Sequence, residues 1–257
     1  MTWVVVYSSA PIHFHVLTDP DSVTVIEQIM SRAERQANCP FTYTIETINT
    51  IVDGMFDAMR INVPQLKLSM LQDHVLTKMM PLILQWHYKD LERIIMVNTT
   101  IKFRSDVVEL YEHFDRFEPR QVMGLTLTQS ARFASAFAVH RHHQSDDSAT
   151  KNLGLSPPEG WPGFNTDLML LDLGRMRRSK TFQRYVDLEN QYTLVQKYDF
   201  ATEDLLPKLD EWLTVVGVEK PELFYTLPCQ WNIQQVMDSN AFSHCRNDIK
   251  AMEFHNS

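Results

Sequence analysis

Glycine is scarce in this chain, with seven residues among 257, against an ordinary usage of about 7%. The scarcity disfavours the glycine-rich cradles that hold phosphates, and neither GxGxxG nor GxxxxGK[ST] occurs. GxSxG, HExxH and CxxC are absent as well, which leaves hydrolase, zincin and thioredoxin readings without support. Positive charge is in deficit: 24 Lys and Arg stand against 32 Asp and Glu, a formal net charge of −8. Phosphate neutralisation needs clustered cations, so no nucleic-acid partner is expected. No apolar run approaches the ~20 residues that cross a bilayer. The start, "MTWVVVYSS", lacks the basic n-region of a signal peptide. The chain as written therefore reads as soluble, and a membrane anchor would lie outside it. Cysteine is sparse too. Cys229 and Cys245 could pair and leave Cys39 over, and an all-thiol protein is equally compatible.

What is present is apolar residue in quantity: 44% of the chain, enough for a real core in one large or two small domains. "VVVYSS" and "PIHFHVLTD" read as one or two short strands, and "FTYTIETI" as another. Between them "DSVTVIEQIMSRAERQA" carries a helical stripe preceded by the cap-type residues Asp21 and Ser22. Helices are expected around 51–60 and 69–87. "RIIMV" is a continuous apolar strand of the kind buried on both faces of a parallel sheet. "SDVVELYEHFDRF" reads as one amphipathic helix capped by Ser105 or Asp106, and "QVMGLTLT" and "LMLLDL" as strands. "GRMRRSKTFQRYVDLENQY" reads as one helix, and "EDLLPKLDEWLTVVG" as a helix stopped near Gly217. Residues 144–163, rich in Ser, Asp, Gly and Pro, read as a long loop. This alternation predicts an α/β sheet with an irregular C-terminal third covering one edge.

Three short stretches invite chemistry. "RIIMV" ends in Asn98-Thr99-Thr100, at a strand's carboxyl end, where α/β proteins keep ligand chemistry. Read alone, the triplet is a set of turn formers and an N-glycosylation sequon. "HRHH" (His140 to His143) lacks a second ligand cluster and reads as a solvated loop. "RMRR" (Arg175 to Arg178) reads as a surface charge run, with phosphate contact as the alternative.

Taken together, four stretches resemble glycosyltransferase family 8. "RIIMVNTTIKFRSDVVELYEHFDRF" is similar to that family's strand, metal motif and following helix. "PPEGWPGFNTDLMLLDLGRMRRS" resembles its loop-strand-helix with a Gly-Phe-Asn start. "WLTVVGVEKPELFYTLPCQWNIQ" and the final "FHNS" resemble C-terminal segments of its xyloside xylosyltransferase-like branch, in the same order. The resemblance runs from about Ile12 to Ser257. It implies a single A-type glycosyltransferase domain: a Rossmann-like mixed sheet flanked by helices, with an irregular C-terminal segment. The nucleotide-binding part would cover 1–128 and the acceptor part 129–257. It also implies a UDP-xylose donor, a Mn²⁺ ion, and retaining transfer of xylose to xylose–glucose O-glycans on EGF repeats. Family members are anchored in the membrane of the endoplasmic reticulum and face its lumen.

The resemblance carries over residue by residue, with departures. Asn98 and Thr100 stand at the metal-binding Asp-x-Asp, where the carboxylates would hold Mn²⁺ against the diphosphate. An amide and a hydroxyl replace them, so two formal charges have gone. His255 matches the third metal ligand, with Asn256 in place of the following glycine. Asn165 matches a donor-binding asparagine, and Asp167 replaces a glycine, placing an acid near the sugar or diphosphate and offering a substitute metal ligand. Asp210, with Glu211, is the nearest equivalent of the catalytic polar groups under the transferring sugar. Asp73 matches a donor-motif Asp if one inserted residue is allowed. Read without the resemblance, Asp210 and Glu211 belong to a solvated helix face. The family's first strand, which contacts uracil and ribose, is separated by a helix from the strand matched by "HFHVLTD". Here "VVVYSS" runs almost directly into it. Two readings follow: a working retaining xylosyltransferase, or a non-catalytic module that binds a glycan or a protein. Loss of two metal-binding carboxylates should cost several kcal/mol of transition-state stabilisation.

Overall fold

The computed structural model describes residues 2–48, 50–51, 80–143, 151–187, 190, 193–194, 197–198, 208–237 and 239–254. Asp73, His255, most of the helix expected over 51–60 and the first part of that over 69–87 lie outside the described residues. Eight strands are present among them: β1 (Ile12–Thr18), β2 (Phe41–Thr47), β3 (Arg93–Val97), β4 (Ile101–Phe103), β5 (Met123–Leu127), β6 (Phe164–Asp172), β7 (Phe224–Thr226) and β8 (Ala251–Glu253).

β1 and β2 pair in parallel, which requires a crossover, here the helix Val23–Glu34. That helix buries Met30 and Ala33. Its entry turn is capped by Asp19, whose Oδ1 accepts from Ser22 N at 2.9 Å, rather than by Asp21 or Ser22. The main sheet has the order β3-β6-β5-β7. β6 is antiparallel to both β3 and β5, and β7 joins β5 in parallel. β4 and β8 form a separate antiparallel pair.

The apolar strand Arg93–Val97 is thus not central in a parallel sheet. It is an edge, antiparallel to β6, and all five residues are half-buried. Among the described residues nothing pairs with its other side. β1 and β3 nevertheless feed the same two cores: Leu17, Ile94 and Met96 pack on one side, Ile12, Phe14, Ile95 and Val97 on the other. "VVVYSS" departs from expectation as well: Thr2–Tyr7 is a helix. A strand would point the adjacent Val4 and Val5 to opposite faces. The helix buries both, leaves Trp3 and Tyr7 exposed, and overrides the β propensity of valine.

Three helices also differ from the periodic reading. "SDVVELYEHFDRF" is a short helix, Val107–Tyr111, that tightens into a 3₁₀ turn over Glu112–Arg116, with Asp106 Oδ1 accepting from Val108 N at 3.0 Å. Among the described residues 173–187, the stretch after β6 forms two helices, Leu173–Arg178 and Lys180–Val186. Ser179 breaks them and caps the second, accepting from Phe182 N at 3.2 Å. Leu209–Glu219 runs through Gly217, stopping before Pro221. Gly217 serves close packing: a Cβ there would sit 2.5 Å from the Phe164 ring.

Of the "RMRR" arginines Arg178 is exposed, whereas Arg175 and Arg177 are half-buried and bonded to backbone carbonyls. Arg177 donates to the carbonyls of Gln85 and Tyr88 at 3.1 Å and of Leu91 at 2.9 Å, and Arg175 to that of Glu118 at 2.6 Å. They staple the helix Leu173–Arg178 to the segments entering β3 and β5. His140 is buried rather than solvated, its ring 4.6 Å from that of Tyr198. Cys229 and Cys245 form a disulfide and Cys39 is a free thiol. Among the described residues no helix is long and apolar enough to cross a membrane.

Candidate functional site

The polar triplet sits where β3 leaves β6. Asn98 N donates to Asp167 O at 2.7 Å, one step beyond the regular ladder. The Asn98 side chain then donates Nδ2 to Asp167 Oδ1 at 2.9 Å. The other carboxylate oxygen, Oδ2, accepts from Asn165 Nδ2 at 3.1 Å, and Asn165 Oδ1 accepts from Asp167 N at 2.9 Å. A bulge between β5 and β6 brings Thr126 opposite Asn165 although Leu125 lies opposite Met169. Bulges of this kind re-aim side chains, and here Asn165 and Asp167 converge on one cluster.

Gly163 sets the start of β6. Its φ of +91° lies in the region that favours glycine, and a Cβ would stand 2.6 Å from Thr214 Oγ1. That hydroxyl accepts from Phe164 N at 3.0 Å. The Gly-Phe-Asn sequence is therefore a backbone device that anchors Phe164, the residue before Asn165, to the helix Leu209–Glu219.

A buried polar lattice stands behind Asn165, and the sequence reading missed it. Asn232 Nδ2 donates to Asn165 Oδ1 at 2.7 Å. Gln129 and Gln234 lock reciprocally: each side-chain oxygen accepts the other's backbone N–H at 2.9 Å. Gln129 Nε2 donates to Asn232 O at 2.7 Å. The available signal was the buried amides themselves, Gln129 closing a strand and Asn232 and Gln234 within "CQWNIQQ". Two buried oxygens at this site, Asn232 Oδ1 and Thr100 Oγ1, have no hydrogen-bond partner among the described residues. Polar atoms left bare in this way are costly.

Asp210 belongs to a different arrangement. It is buried, not solvated, and pairs with the Arg132 guanidinium, a partner the sequence reading did not name. Its Oδ1 also accepts from Glu211 N at 3.0 Å. Glu211 accepts from Lys208 N at 3.0 Å, and burial pushes its carboxyl above the usual range. The structure thus joins Asn98, Asn165 and Asp167 through hydrogen bonds, whereas Asp210 lies in a second cluster on the helix that supports Gly163.

A manganese ion fits this donor set poorly. A hard divalent cation favours several anionic oxygens. Among the described residues one carboxylate, Asp167, already takes two amide hydrogens, while Asn98 and Thr100 offer only neutral oxygens. Asp19 and Asp21 form another acid pair beyond β1, but Asp19 is engaged as a cap: Ser22 Oγ donates to its Oδ2 at 2.7 Å. A cavity of about 410 Å³, lined by Glu34, Asn38, Cys39 and Phe41, lies at the opposite, amino end of β2.

An α/β domain with a mixed sheet, flanking helices and a polar cluster at a strand end has the architecture of an A-type glycosyltransferase. No family model matches the chain. Mouse xyloside xylosyltransferase 1 is 35% identical over 146 residues, 57% of this chain and 36% of that protein. The human protein is 34% identical over the same length. Rat xylosyl- and glucuronyltransferase LARGE2 is 27% identical over 247 residues, 91% of this chain and 29% of that protein. The chain thus spans about a third of the length of these curated relatives. The crystal structure of mouse xyloside xylosyltransferase 1 in its apo form superposes with a TM-score of 0.79 at 22% identity. It covers 98% of this chain and 88% of that one. The chain is thus similar in sequence to these xylosyltransferases and shares the fold of xyloside xylosyltransferase 1.

Proposed function

We propose that this chain recognises a xyloside glycan in a glycosyltransferase cleft and has lost manganese-dependent transfer. The observation that carries the reading is the Asn98–Asp167 hydrogen bond, an amide facing an acid where the resemblance expects metal-binding acids. A diphosphate leaving group needs positive charge beside it, and a lone carboxylate without a cation repels it. A carboxylate flanked by primary amides instead offers acceptors and donors of the kind that sugar hydroxyls bond. The names of the mouse and human relatives supply the acceptor class, a xyloside. By the family resemblance, that acceptor would be the xylose–glucose glycan of EGF repeats in the lumen of the endoplasmic reticulum. The Cys229–Cys245 disulfide supports an oxidising compartment.

The rival reading is a working retaining transferase that takes xylose from UDP-xylose. Asp167 favours it, because its carboxylate stands beside the altered motif and could serve as a substitute ligand with His255. Calorimetry with a xylose–glucose disaccharide in the presence of a chelator tests the first reading. Binding should survive chelation and weaken about tenfold in Asp167→Asn, through loss of charge-assisted hydrogen bonds. Absence of disaccharide binding at millimolar concentration would overturn it.

A further inference from the structure

Outside this cleft, Cys229, His244 and Cys245 gather three metal-ligating atoms within 4.8 Å of one another. His244 Nε2 lies 3.6 Å from each sulfur, Cys229 Sγ and Cys245 Sγ. Tetrahedral zinc, with Zn–S near 2.3 Å and Zn–N near 2.0–2.1 Å, places its nitrogen and sulfur ligands about 3.6 Å apart. Both nitrogen–sulfur separations therefore already match. Only the sulfur–sulfur separation must change, from the covalent bond to about 3.8 Å.

We propose that reduction of the Cys229–Cys245 disulfide converts this staple into a site for one zinc ion. Cys229, Cys245 and His244 are its ligands, and water takes the fourth position. The steps balance. A dithiol supplies two electrons and two protons, is itself oxidised to a disulfide, and leaves two protein thiols. Zinc then displaces both thiol protons, so its two positive charges are met by two thiolates and a neutral imidazole. The surroundings suit such a site. Cys245 is fully buried with Ile233, Phe242 and Met252, while exposed His244 opens one side to solvent.

The staple governs the candidate cleft through the backbone. Ile233 N donates to Ala251 O at 3.0 Å and Glu253 N to Ile233 O at 2.8 Å, fixing β8 beside the stapled segment. Phe254 N then donates to Thr100 O at 2.8 Å, tying the chain end to the polar triplet. Either form of the staple, disulfide or zinc, holds this path together. The reduced, metal-free form releases it.

The test uses the whole chain carrying Cys39→Ser, reduced with a phosphine and titrated with Co²⁺ and then Zn²⁺. The expected result is one Co²⁺ per chain with thiolate-to-cobalt charge-transfer absorption, two protons released, and displacement by zinc. The oxidised protein should bind none. His244→Ala, folded by its disulfide before reduction, should bind at least tenfold more weakly. If reduction loosens the fold, zinc should restore the near-ultraviolet circular dichroism. No stoichiometric cobalt binding, unchanged affinity in His244→Ala, or loosening that zinc does not reverse would overturn the proposal.

Discussion

Asn98 Nδ2 and Asp167 Oδ1 lie 2.9 Å apart across the ends of β3 and β6. An amide and an acid thus share one hydrogen bond where the family resemblance expects acids on β3 facing a glycine on β6. The pairing makes Asn98→Asp informative. Two carboxylates would then face each other and cost about 1–2 kcal/mol of stability without a cation. Thermal melts should show the loss, and millimolar Mn²⁺ should recover it by occupying the new pair. An unchanged melting temperature without metal would mean that the two side chains do not meet.

Arg132 is the cation of the second cluster. It is 46% exposed, whereas the Asp210 side chain is 10% exposed, so the pair is only partly screened. Arg132→Ala leaves a buried acid with a backbone N–H as its remaining partner among the described residues and should cost about 2 kcal/mol in denaturant unfolding. Arg132→Ala with Asp210→Asn should recover part of that cost, because the bare charge has gone. Additive losses would argue against the pairing.

Gly163 combines a positive φ with contact against Thr214 and Phe133. Gly163→Ala should therefore cost about 3 kcal/mol, strain and overpacking together. It should also displace Asn165, so glycan binding should fall more than in a surface variant of equal stability. A neutral result in unfolding would contradict the backbone role assigned to this residue.

Glu46 supplies a pH dependence. Burial raises its carboxyl, but hydrogen bonds from Tyr88 OH and His87 Nε2, both 2.6 Å, and from His15 outweigh it and hold the carboxyl below the usual carboxylate range. An acid depressed on folding contributes stability above its unfolded value, and that stability fades as pH falls through the folded value. Wild type should lose stability below about pH 4.5. Glu46→Gln, about 1 kcal/mol weaker at neutral pH, should show a flatter acid limb. Parallel curves for the two proteins would show that Glu46 carries no such term.

Strand positions were readable where one pattern dominated. "FTYTIETI", "RIIMV", "QVMGLTLT" and "LMLLDL" all became strands. "VVVYSS" misled because β-branched composition is a weak prior, which burial of the adjacent Val4 and Val5 reversed. The Ser179 break was hidden because one serine serves as both helix stop and cap. At the site, sequence marked Asn98, Asn165 and Asp167 one by one, but their hydrogen bonding depends on the β5–β6 bulge, which no local pattern announces. Arg132 and Asn232 are distant in sequence from Asp210 and Asn165, their partners. Only the folded chain brings them together.

The most direct measurement is a calorimetric titration of the chain with UDP-xylose, with and without Mn²⁺. If one carboxylate held by two amides cannot retain the cation, the nucleotide sugar should bind weakly and equally in both buffers. Micromolar binding that appears with Mn²⁺ and vanishes on chelation would contradict the account.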